Sequence, residues 1–504
     1  MTIPADQQET ASFLQTLAGS APVETHISLV FRGPDTVWKL KKAVRLPFLD
    51  FTAVASRRHF TERELVLNAP AAPGLYRDVV PVRRRPDGAL TLEPATDLPV
   101  VDWVLRMARV PDDDFLDVIA VQNRLDHVLL DAVADAVATR HQALPAVPGV
   151  VPPMRDIALG NVRAALDAGL PAAVVGAWQT AMLAALDTRQ AWLAERARDG
   201  FVRRAHGDLH LGNLCLWQGR PVLFDALEFD ETLATIDLGY DLAFLLMDLE
   251  HRLGREAANR VLNRYVARTG DAALVAGLPV FLSMRAMVRA HVEARSGHAE
   301  AAAAYLVQAE TFLHPPAPLV VAIGGLPGTG KSTVARRLAP GLGPAPGALV
   351  LRSDEIRKRR FGVPPETRLP PAAYTDAASQ AVFATLADLT AAAAAGGHAV
   401  IADATFIDPA HRSLLTEAAR TAGVGFLGFW LDAPLPVLEA RVAGRYGDAS
   451  DATVAVLHAA ASANPTAGDW MEIDASNLET AGHLVTKAVC AHVGMRWKRS
   501  PDLR

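Results

Sequence analysis

A glycine-rich turn between an apolar run and a helical run is the feature that most constrains this chain of 504 residues. Residues 325–332 read G-L-P-G-T-G-K-S and fit the pattern G-x-x-x-x-G-K-[ST]. The apolar run 319–323 comes before it, and residues 332–338 have helical spacing, so the sequence predicts a strand, a loop and a helix. Such a loop closes backbone N–H groups around anionic oxygens at the positive end of a helix. The turn therefore predicts a nucleoside triphosphate site.

Several residues of this loop have predicted roles. Lys331 is predicted to reach the β- and γ-phosphates, and the Ser332 hydroxyl to ligate Mg²⁺. Asp403 ends the apolar run 400–402 and is predicted to hold the water shell of the Mg²⁺ ion, with a helix cap or turn residue as the alternative. The remaining predicted nucleotide-binding residues are Gly325, Gly328, Thr329, Gly330 and Thr333.

A second phosphate-handling signature lies upstream. Residues 206–213 read H-G-D-L-H-L-G-N and fit H-x-D-x-x-x-x-N, and an apolar run then ends at Asp225. In this chemistry Asp208 orients and deprotonates an acceptor hydroxyl, while Asn213 and Asp225 hold the Mg²⁺ ions that bridge the ATP phosphates. The alternative is a capped turn rich in Asp, His and Asn.

Two lysines before this loop are candidates for the same site. Residues 27–32 and 36–41 alternate like two strands around a turn, which places Lys39 and Lys41 on one face. Residues 57–68 are predicted to form a helix that carries Glu62 and Glu64. Because a strand lysine paired with a helix glutamate holds the phosphates in kinase folds, Lys39 or Lys41 is predicted to pair with one of these glutamates and bind the nucleotide.

Composition bounds the class of protein. Half of the residues are hydrophobic and 21% are charged, which is typical of folded domains, and the length predicts two or three of them. The net charge of −5 gives no general attraction to nucleic acid or anionic membranes. The two cysteines are far apart, so a reducing cytoplasm is expected rather than a disulfide framework. No uninterrupted apolar run approaches the roughly 20 residues of a membrane span, and a soluble protein is expected.

The chain divides at a proline-rich joint. Pro315, Pro316 and Pro318 stop an alanine-rich helix, so we expect one domain over residues 1–314 and another over 315–504. In the first, long helical stretches are expected over 115–143 and 172–198. In the second, apolar runs alternate with helical stretches, which predicts a parallel sheet with helices on both faces. The predicted strands are 319–323, 348–351, 399–402 and 425–430.

Two families resemble the two parts. Residues 20–313 resemble the aminoglycoside phosphotransferase branch of the kinase-like fold, through H-G-D-L-H-L-G-N, Phe224-Asp225 and Asp241-Leu242-Ala243. Residues 318–500 resemble phosphate-loop (P-loop) small-molecule kinases close to gluconate kinase, zeta toxin and polynucleotide kinase. The fusion resembles a bacterial family described as bifunctional aminoglycoside phosphotransferase/ATP-binding proteins. It implies a bilobal, protein-kinase-like α+β domain followed by an α/β P-loop domain that binds ATP.

The resemblance also implies residue roles. Asp208 would be the catalytic base, and His206 would brace its loop. Lys39 would contact the nucleotide phosphates with Glu64 as its ion-pair partner, and Lys41 is nearly as good a candidate because it points the same way. In the second domain the pattern D-x-x-R implies that Asp354 is the base and Arg357 clamps the acceptor. Arg441 and Arg445 resemble lid arginines that close over the transferring phosphate, with an exposed charged face as the alternative.

The chain departs from the kinase pattern at two places. The roles of two charged clusters are also left open. Residues 25–28, T-H-I-S, stand where a glycine-rich loop would cover the phosphates, and alanine rather than glycine follows Asp225. Glu228 and Asp230 are either an acidic rim for a cationic aminosugar or a solvated loop. The basic run 357–360 either meets a phosphorylated or polynucleotide acceptor or is a solvated helix end.

These patterns together predict an ATP- and Mg²⁺-dependent phosphotransferase with two nucleotide sites. Each site is expected to transfer the γ-phosphoryl group to a hydroxyl of a small molecule. One alternative is a regulatory protein in which only one domain is catalytic. The other is a nucleic-acid end kinase or toxin-like kinase, although nucleic acid is not the expected partner because stacking aromatics are sparse around the basic run. The sequence does not predict an oligomeric state.

Overall fold

The computed structural model describes residues 3–46, 49–94, 97–444 and 448–494. Contacts divide the chain into two compact units, which we call unit 1 (Met1–Leu159 with Asp187–Asp248) and unit 2 (Gly160–Leu186 with Leu249–Arg504). Unit 2 therefore takes up helices that precede residue 315 as well as the P-loop part. The predicted boundary between residues 314 and 315 stays a prediction about where an independent domain begins.

Six of the twelve strands that the structure describes in the first half of the chain belong to one antiparallel sheet. It has the order β1-β2-β3-β8-β6-β7, and the pairs β10-β11, β12-β9 and β4-β5 lie outside it. The strands are β1 (Val23–Glu24), β2 (Ser28–Arg32), β3 (Thr36–Lys41), β4 (Arg45–Leu46), β5 (Leu49–Asp50), β6 (Tyr76–Arg84), β7 (Leu90–Thr91), β8 (Val100–Ala108), β9 (Val202–Arg204), β10 (Leu214–Trp217), β11 (Arg220–Leu223) and β12 (Thr235–Asp237).

The helices that accompany these strands run from residue 8 to residue 253. They are α1 (Gln8–Ala18), α2 (Val54–Asn68), α3 (Leu116–Val121), α4 (His127–Ala143), α5 (Met154–Asp167), α6 (Ala172–Asp187), α7 (Gln190–Arg198), α8 (Glu231–Ala234) and α9 (Leu238–Leu253).

The predicted hairpin and the lysine-bearing strand are present as β2 and β3. Alternate residues of these strands, such as Leu29, Phe31 and Leu40, are buried and pack against α1, which accounts for the period-two pattern. The helical stretch predicted over 115–143 is present as two helices. It is divided into α3 and α4 by Asn123, whose φ is 55°, and by Asp126, whose side chain accepts from Leu129 N and caps α4. The helical stretch predicted over 172–198 is likewise two helices, α6 and α7.

Unit 2 contains a five-stranded parallel sheet of order β14-β15-β13-β16-β17. Its strands are β13 (Leu319–Gly325), β14 (Leu349–Arg352), β15 (Val400–Asp403), β16 (Gly425–Asp432) and β17 (Met471–Asp474). The further helices are α10 (Arg255–Thr269), α11 (Leu278–Arg295), α12 (Ala299–Phe312), α13 (Lys331–Leu338), α14 (Ser353–Arg360), α15 (Asp376–Ala395), α16 (Pro409–Thr421), α17 (Leu435–Ala443), α18 (Val454–Ser462) and α19 (Leu478–His492).

The predicted parallel sheet with helices on both faces is confirmed. One face of β13 packs Val321 and Ile323 into a cluster with α13 and α19, and Val320 on the other face packs against α15 and α16. The four predicted strands are present, and β17 is a fifth that the sequence did not indicate. Only Ile473 of its four residues is buried, so it lacks the continuous apolar run of a central parallel strand.

Among the described residues, two segments have the length and hydropathy of a membrane span, Ala272–Arg295 and Asp376–Ala395. Within them, 78% and 39% of the apolar window is buried inside the protein. One or two such segments are weak evidence of a membrane span, because a mostly buried core helix passes the same test of length and composition. The predicted cytoplasmic location stays a prediction.

Candidate active sites

The first candidate site lies in unit 1, where β3 and α2 bring two lysines onto one glutamate. Lys39 Nζ lies 2.8 Å from Glu64 Oε1, and Lys41 Nζ lies 2.8 Å from Glu64 Oε2. Burial alone would raise the pKa of Glu64, but the two ammonium groups outweigh it and lower that pKa to about 2. Glu64 is therefore a permanent anion that fixes both lysines.

The two lysines differ in their second ion-pair partner. Lys39 Nζ lies 2.5 Å from Asp225 Oδ1, whereas Lys41 forms an ion pair with Glu228. The Lys41 side chain is 1% exposed and that of Lys39 is 13% exposed. Lys39, unlike Lys41, lines a cavity of unit 1. A phosphate bound in that cavity would therefore meet the ammonium group of Lys39.

The sequence left Glu228 open as part of either an acidic rim or a solvated loop. The residue is buried, and burial raises the pKa of its carboxyl group against the opposing effect of Lys41. Its pairing with Lys41 means that it is not a solvated acidic loop. Asp230, by contrast, caps α8 by accepting from Leu233 N.

The H-x-D-x-x-x-x-N loop, residues 206–213, is held by contacts of its backbone and of His206. Asp241, near the start of α9, accepts from His206 N at 3.0 Å and from Gly207 N at 2.8 Å. His206 Nε2 lies 2.8 Å from the carbonyl oxygen of Phe224, immediately before Asp225. His206 thus joins the loop to the strand end, as the resemblance implied.

The predicted base, Asp208, and the predicted metal ligands lie around one cavity of this unit. Asn213 Nδ2 donates to Asp208 Oδ2 at 2.9 Å, and Asp225 has a φ of 60°, a left-handed conformation that turns the chain sharply after β11. Asp208, Asn213, Asp225 and Lys39 all line one cavity of about 660 Å³. Its other walls include His26 of the T-H-I-S turn and the apolar Val30, Met107, Val110, Phe115 and Phe224.

The second candidate site lies in unit 2, where β13 leads through the glycine loop into α13. Gly325, Gly328 and Gly330 have φ values of 139°, 89° and 87°. A methyl group at Gly330 would lie 2.2 Å from Leu478 Cδ2, and one at Gly325 would lie 2.4 Å from the carbonyl oxygen of Leu431. Only glycine fits these positions, so the loop keeps the close backbone turn that phosphate binding needs.

Side chains of this loop hydrogen-bond to its own backbone, and their predicted roles in binding nucleotide stay predictions. Lys331 Nζ donates to the carbonyl oxygens of Gly325 and Leu326 at 2.9 Å, which holds the lysine over the loop. Thr329 Oγ1 donates to Leu326 O, and Thr333 N donates to Gly330 O, so these two residues shape the loop and the first turn of α13.

Ser332 and Asp403 come together although 71 residues separate them. Ser332 Oγ donates to Asp403 Oδ2 at 2.5 Å, because β13 and β15 are parallel neighbours and end at the same edge of the sheet. A hydroxyl and a carboxylate are hard oxygen ligands, the donor set that Mg²⁺ prefers. This pair would hold the ion directly or through water, where it neutralises charge on the phosphates.

Arg352 is a site residue that the sequence analysis missed. Arg352 ends β14, and its guanidinium group contacts three carboxylates. Its Nε lies 3.2 Å from Asp403 Oδ2, and its Nη1 lies 3.1 Å from Glu355 Oε1. Its Nη2 lies 2.6 Å from Asp448 Oδ1. Its position at the carboxyl end of a predicted strand was the available signal, since parallel strand ends meet at one edge.

Asp354 and Arg357 lie on α14, beside this arginine. Burial raises the pKa of Asp354 against the opposing effect of Arg352, and a carboxylate that binds a proton more readily is a better general base. Arg357 Nη1 donates to Ala373 O at 2.7 Å, and its guanidinium group lies 4.8 Å from the centre of the Tyr374 ring.

Arg441 does not point freely over the site. Its guanidinium group donates to the carbonyl oxygens of Ala475 and Ser476 at 2.9 and 2.8 Å, and Nη1 lies 3.5 Å from Gly328 O. It therefore ties α17 to the glycine loop and to the turn after β17. Arg445 lies outside the described residues, so the lid role of both arginines stays a prediction.

Known proteins resemble both parts of the chain. The family model described as an AAA domain matches residues 320–464. An uncharacterized protein of Mycobacterium tuberculosis (strain ATCC 25618 / H37Rv) is 29% identical over 465 residues, which is 89% of this chain and 90% of that protein.

Solved structures are also similar to the chain over part of its length. A gluconokinase from Sinorhizobium meliloti 1021 is 18% identical, covers 36% of this chain and 93% of its own, and has a TM-score of 0.26. The GDP complex of aminoglycoside 2'-phosphotransferase-IIIa is 16% identical, covers 61% of this chain and 99% of its own, and has a TM-score of 0.35. The fused bifunctional family named from the motifs stays a prediction.

Proposed function

We propose that this protein is an ATP- and Mg²⁺-dependent phosphotransferase with one nucleotide site in each unit, each transferring the γ-phosphoryl group to a hydroxyl of a small molecule. The observation that carries the proposal is the contact of Ser332 with Asp403 beneath a glycine loop that only glycine can form. The meeting of Lys39, Asp208, Asn213 and Asp225 around one cavity supports the same chemistry in unit 1.

The same step is expected at both sites. A carboxylate, Asp208 in unit 1 and Asp354 in unit 2, orients the acceptor hydroxyl and takes its proton. The acceptor oxygen forms a bond to the γ-phosphorus while the bond to the β,γ-bridging oxygen breaks, and ADP leaves with that electron pair. Lys39 and Lys331 bind the phosphates, and the metal ion supplies neutralisation of their charge.

Nucleotide titration of the full chain tests the proposal. Calorimetry with Mg²⁺ and a non-hydrolysable ATP analogue should show two equivalents bound per wild-type chain. Lys331→Ala should bind one, because the loop loses the cation that meets the β- and γ-phosphates. Lys487→Ala, which removes an exposed lysine from α19, is the matched control and should bind two.

Turnover then separates binding from chemistry. In a screen of hydroxyl-bearing metabolites with labelled γ-phosphate, Asp208→Ala should keep both equivalents of nucleotide but lose transfer by unit 1, by about 10²–10⁴-fold. Two equivalents of nucleotide in Lys331→Ala, or unchanged transfer to every acceptor in both variants, would contradict the assignment.

A further inference from the structure

The segment after β15, residues 404–406, has strained backbone beside the glycine loop of unit 2. Phe406 is buried and has a φ of 48°, in the left-handed region that side chains other than glycine rarely adopt. One residue earlier, Thr405 O accepts from Gly325 N at 3.1 Å. Asp403, which contacts Ser332, ends the strand that enters this segment. Segment 404–406 therefore connects the predicted metal carboxylate to the first residue of the glycine loop.

One arginine holds the strained residue of this segment. Arg412 lies near the start of α16, is 6% exposed, and donates from Nε to Phe406 O at 2.8 Å. Its Nη1 donates to Ala467 O at 2.7 Å and its Nη2 to Thr466 O at 2.6 Å, in the connection between α18 and β17. All three nitrogens of the guanidinium group thus donate to backbone carbonyl oxygens, which fixes segment 404–406 against a distant part of unit 2.

Two indole rings cover the guanidinium group of Arg412. Its Cζ lies 4.6 Å from the centre of the Trp430 ring and 5.4 Å from that of Trp470. The same rings leave no room for a side chain on Gly324, where a methyl group would lie 2.9 Å from Trp470 Cζ3 and 3.1 Å from Trp430 Cε3. Gly324 directly precedes the glycine loop. The rings that pack on Arg412 therefore also pack on the strand residue that enters the loop.

The hold on Phe406 matters because left-handed backbone at a phenylalanine costs energy and persists only where the surroundings fix it. Without the hydrogen bond from Arg412, segment 404–406 would relax toward ordinary backbone angles. Asp403 and Thr405 O would move with it, since they belong to the same stretch of chain. Mg²⁺ demands nearly ideal octahedral geometry, so a small shift of a metal carboxylate weakens its site.

From these contacts we propose that Arg412 is a positioning residue for the Mg²⁺–nucleotide site of unit 2, acting through segment 404–406 on Asp403 and on Gly325. The inference rests on the proposed function and adds a residue that lies outside the phosphate-binding motif and the D-x-x-R pattern. An arginine that only stabilises the fold is the competing outcome.

The test is calorimetry of the full chain with Mg²⁺ and a non-hydrolysable ATP analogue, at a temperature where circular dichroism shows complete folding. Arg412→Met keeps a long side chain against the rings but removes the three donors. It should lower the affinity of one equivalent by about 10–100-fold and leave the other unchanged. Arg420→Met, which removes an exposed cation from the same helix, should change neither. Added to Lys331→Ala, Arg412→Met should leave the remaining equivalent unchanged, which assigns the loss to unit 2.

A double-mutant cycle separates positioning from general stabilisation. Asp403→Asn should weaken the same equivalent, and the chain with Asp403→Asn and Arg412→Met should lose less affinity than the product of the two single losses, because Arg412 acts through Asp403. Arg412→Lys keeps the charge without the planar fork, so it should also lower the affinity. It repeats the test should Arg412→Met not fold.

Normal affinity of both equivalents in folded Arg412→Met or Arg412→Lys overturns the inference, as does a double variant whose losses multiply exactly. Failure of both Arg412 variants to fold would make it a structural residue and overturn the inference as well. Failure of the proposed function is a separate result, because the wild type would then bind fewer than two equivalents of nucleotide before any substitution is made.

Discussion

At the scale of single residues, Lys39 and Lys41 show how burial separates two side chains that the sequence makes equivalent. Both lie on one face of β3, and both contact Glu64. Lys41 is enclosed between Glu64 and Glu228, while Lys39 faces Asp225 and the cavity. One lysine is therefore placed to bind ligand and the other to hold the anions that position it.

Replacing each lysine by methionine should affect a different property of the protein, stability for Lys41 and nucleotide affinity for Lys39. Lys41→Met leaves two buried carboxylates without their shared cation, so we expect the free energy of unfolding to fall by about 3–5 kcal/mol. Lys39→Met should lower the affinity of unit 1 for Mg²⁺–ATP by at least about tenfold, since it removes a charged contact to phosphate. Denaturant unfolding and calorimetry measure the two effects. Loss of affinity in Lys41→Met alone, with Lys39→Met binding normally, would reverse the assignment.

At the scale of elements, α10 covers one edge of the parallel sheet in unit 2. Strand β14 is the outermost strand beside β15, and its outer backbone groups need partners. Asn263 Oδ1 accepts from Val350 N at 2.6 Å, and Asn259 Nδ2 donates to Ala348 O at 3.0 Å. Because β14 leads directly into α14, these two amides support the strand that presents the candidate base.

Replacing one of these asparagines should remove a buried hydrogen bond and lower the free energy of unfolding. Asn263→Ala leaves Val350 N without its acceptor, so the free energy of unfolding should fall by about 1–3 kcal/mol. Asn263 Nδ2 also lies 3.0 Å from Asn259 Oδ1, so the double variant with Asn259→Ala should lose less than the sum of the two single losses. Denaturant unfolding of the four chains gives this cycle. Strict additivity would mean that the two amides support the strand independently.

Local pattern explains which parts of these sites the sequence could predict. The glycine loop and the H-x-D-x-x-x-x-N loop are short, and each residue role follows from its place within the motif. Arg352, Asp448 and Asp451 act through contacts with residues up to 96 positions away, so no local spacing marks them. Glu228 was noticed as an acid, but its burial against Lys41 depends on packing between β3 and the loop after β11.

At the scale of the whole molecule, unit 2 is discontinuous in sequence. It combines the P-loop part with residues 160–186 and with the helices from residue 249 onward. Arg264 and Arg268 of α10 both contact Glu366, in the connection between α14 and α15. Trp178 Nε1 donates to the buried Ser283 Oγ at 2.8 Å, which joins α6 to α11. By these contacts the proline-rich joint at residues 315–318 falls inside unit 2, and the start of an independent domain at residue 315 stays a prediction.

Truncation at this joint should show how much the helices before residue 315 stabilise the P-loop part. A fragment of residues 315–504 loses α10 from the edge of β14, so its midpoint of thermal unfolding should lie at least about 5 °C below that of a fragment of residues 249–504. The shorter fragment should also be cleaved faster by protease, since β14 and α14 lose their cover. Equal unfolding midpoints and equal affinity for Mg²⁺–ATP in the two fragments would instead show that the P-loop domain folds independently from residue 315, as the proline-rich joint predicts.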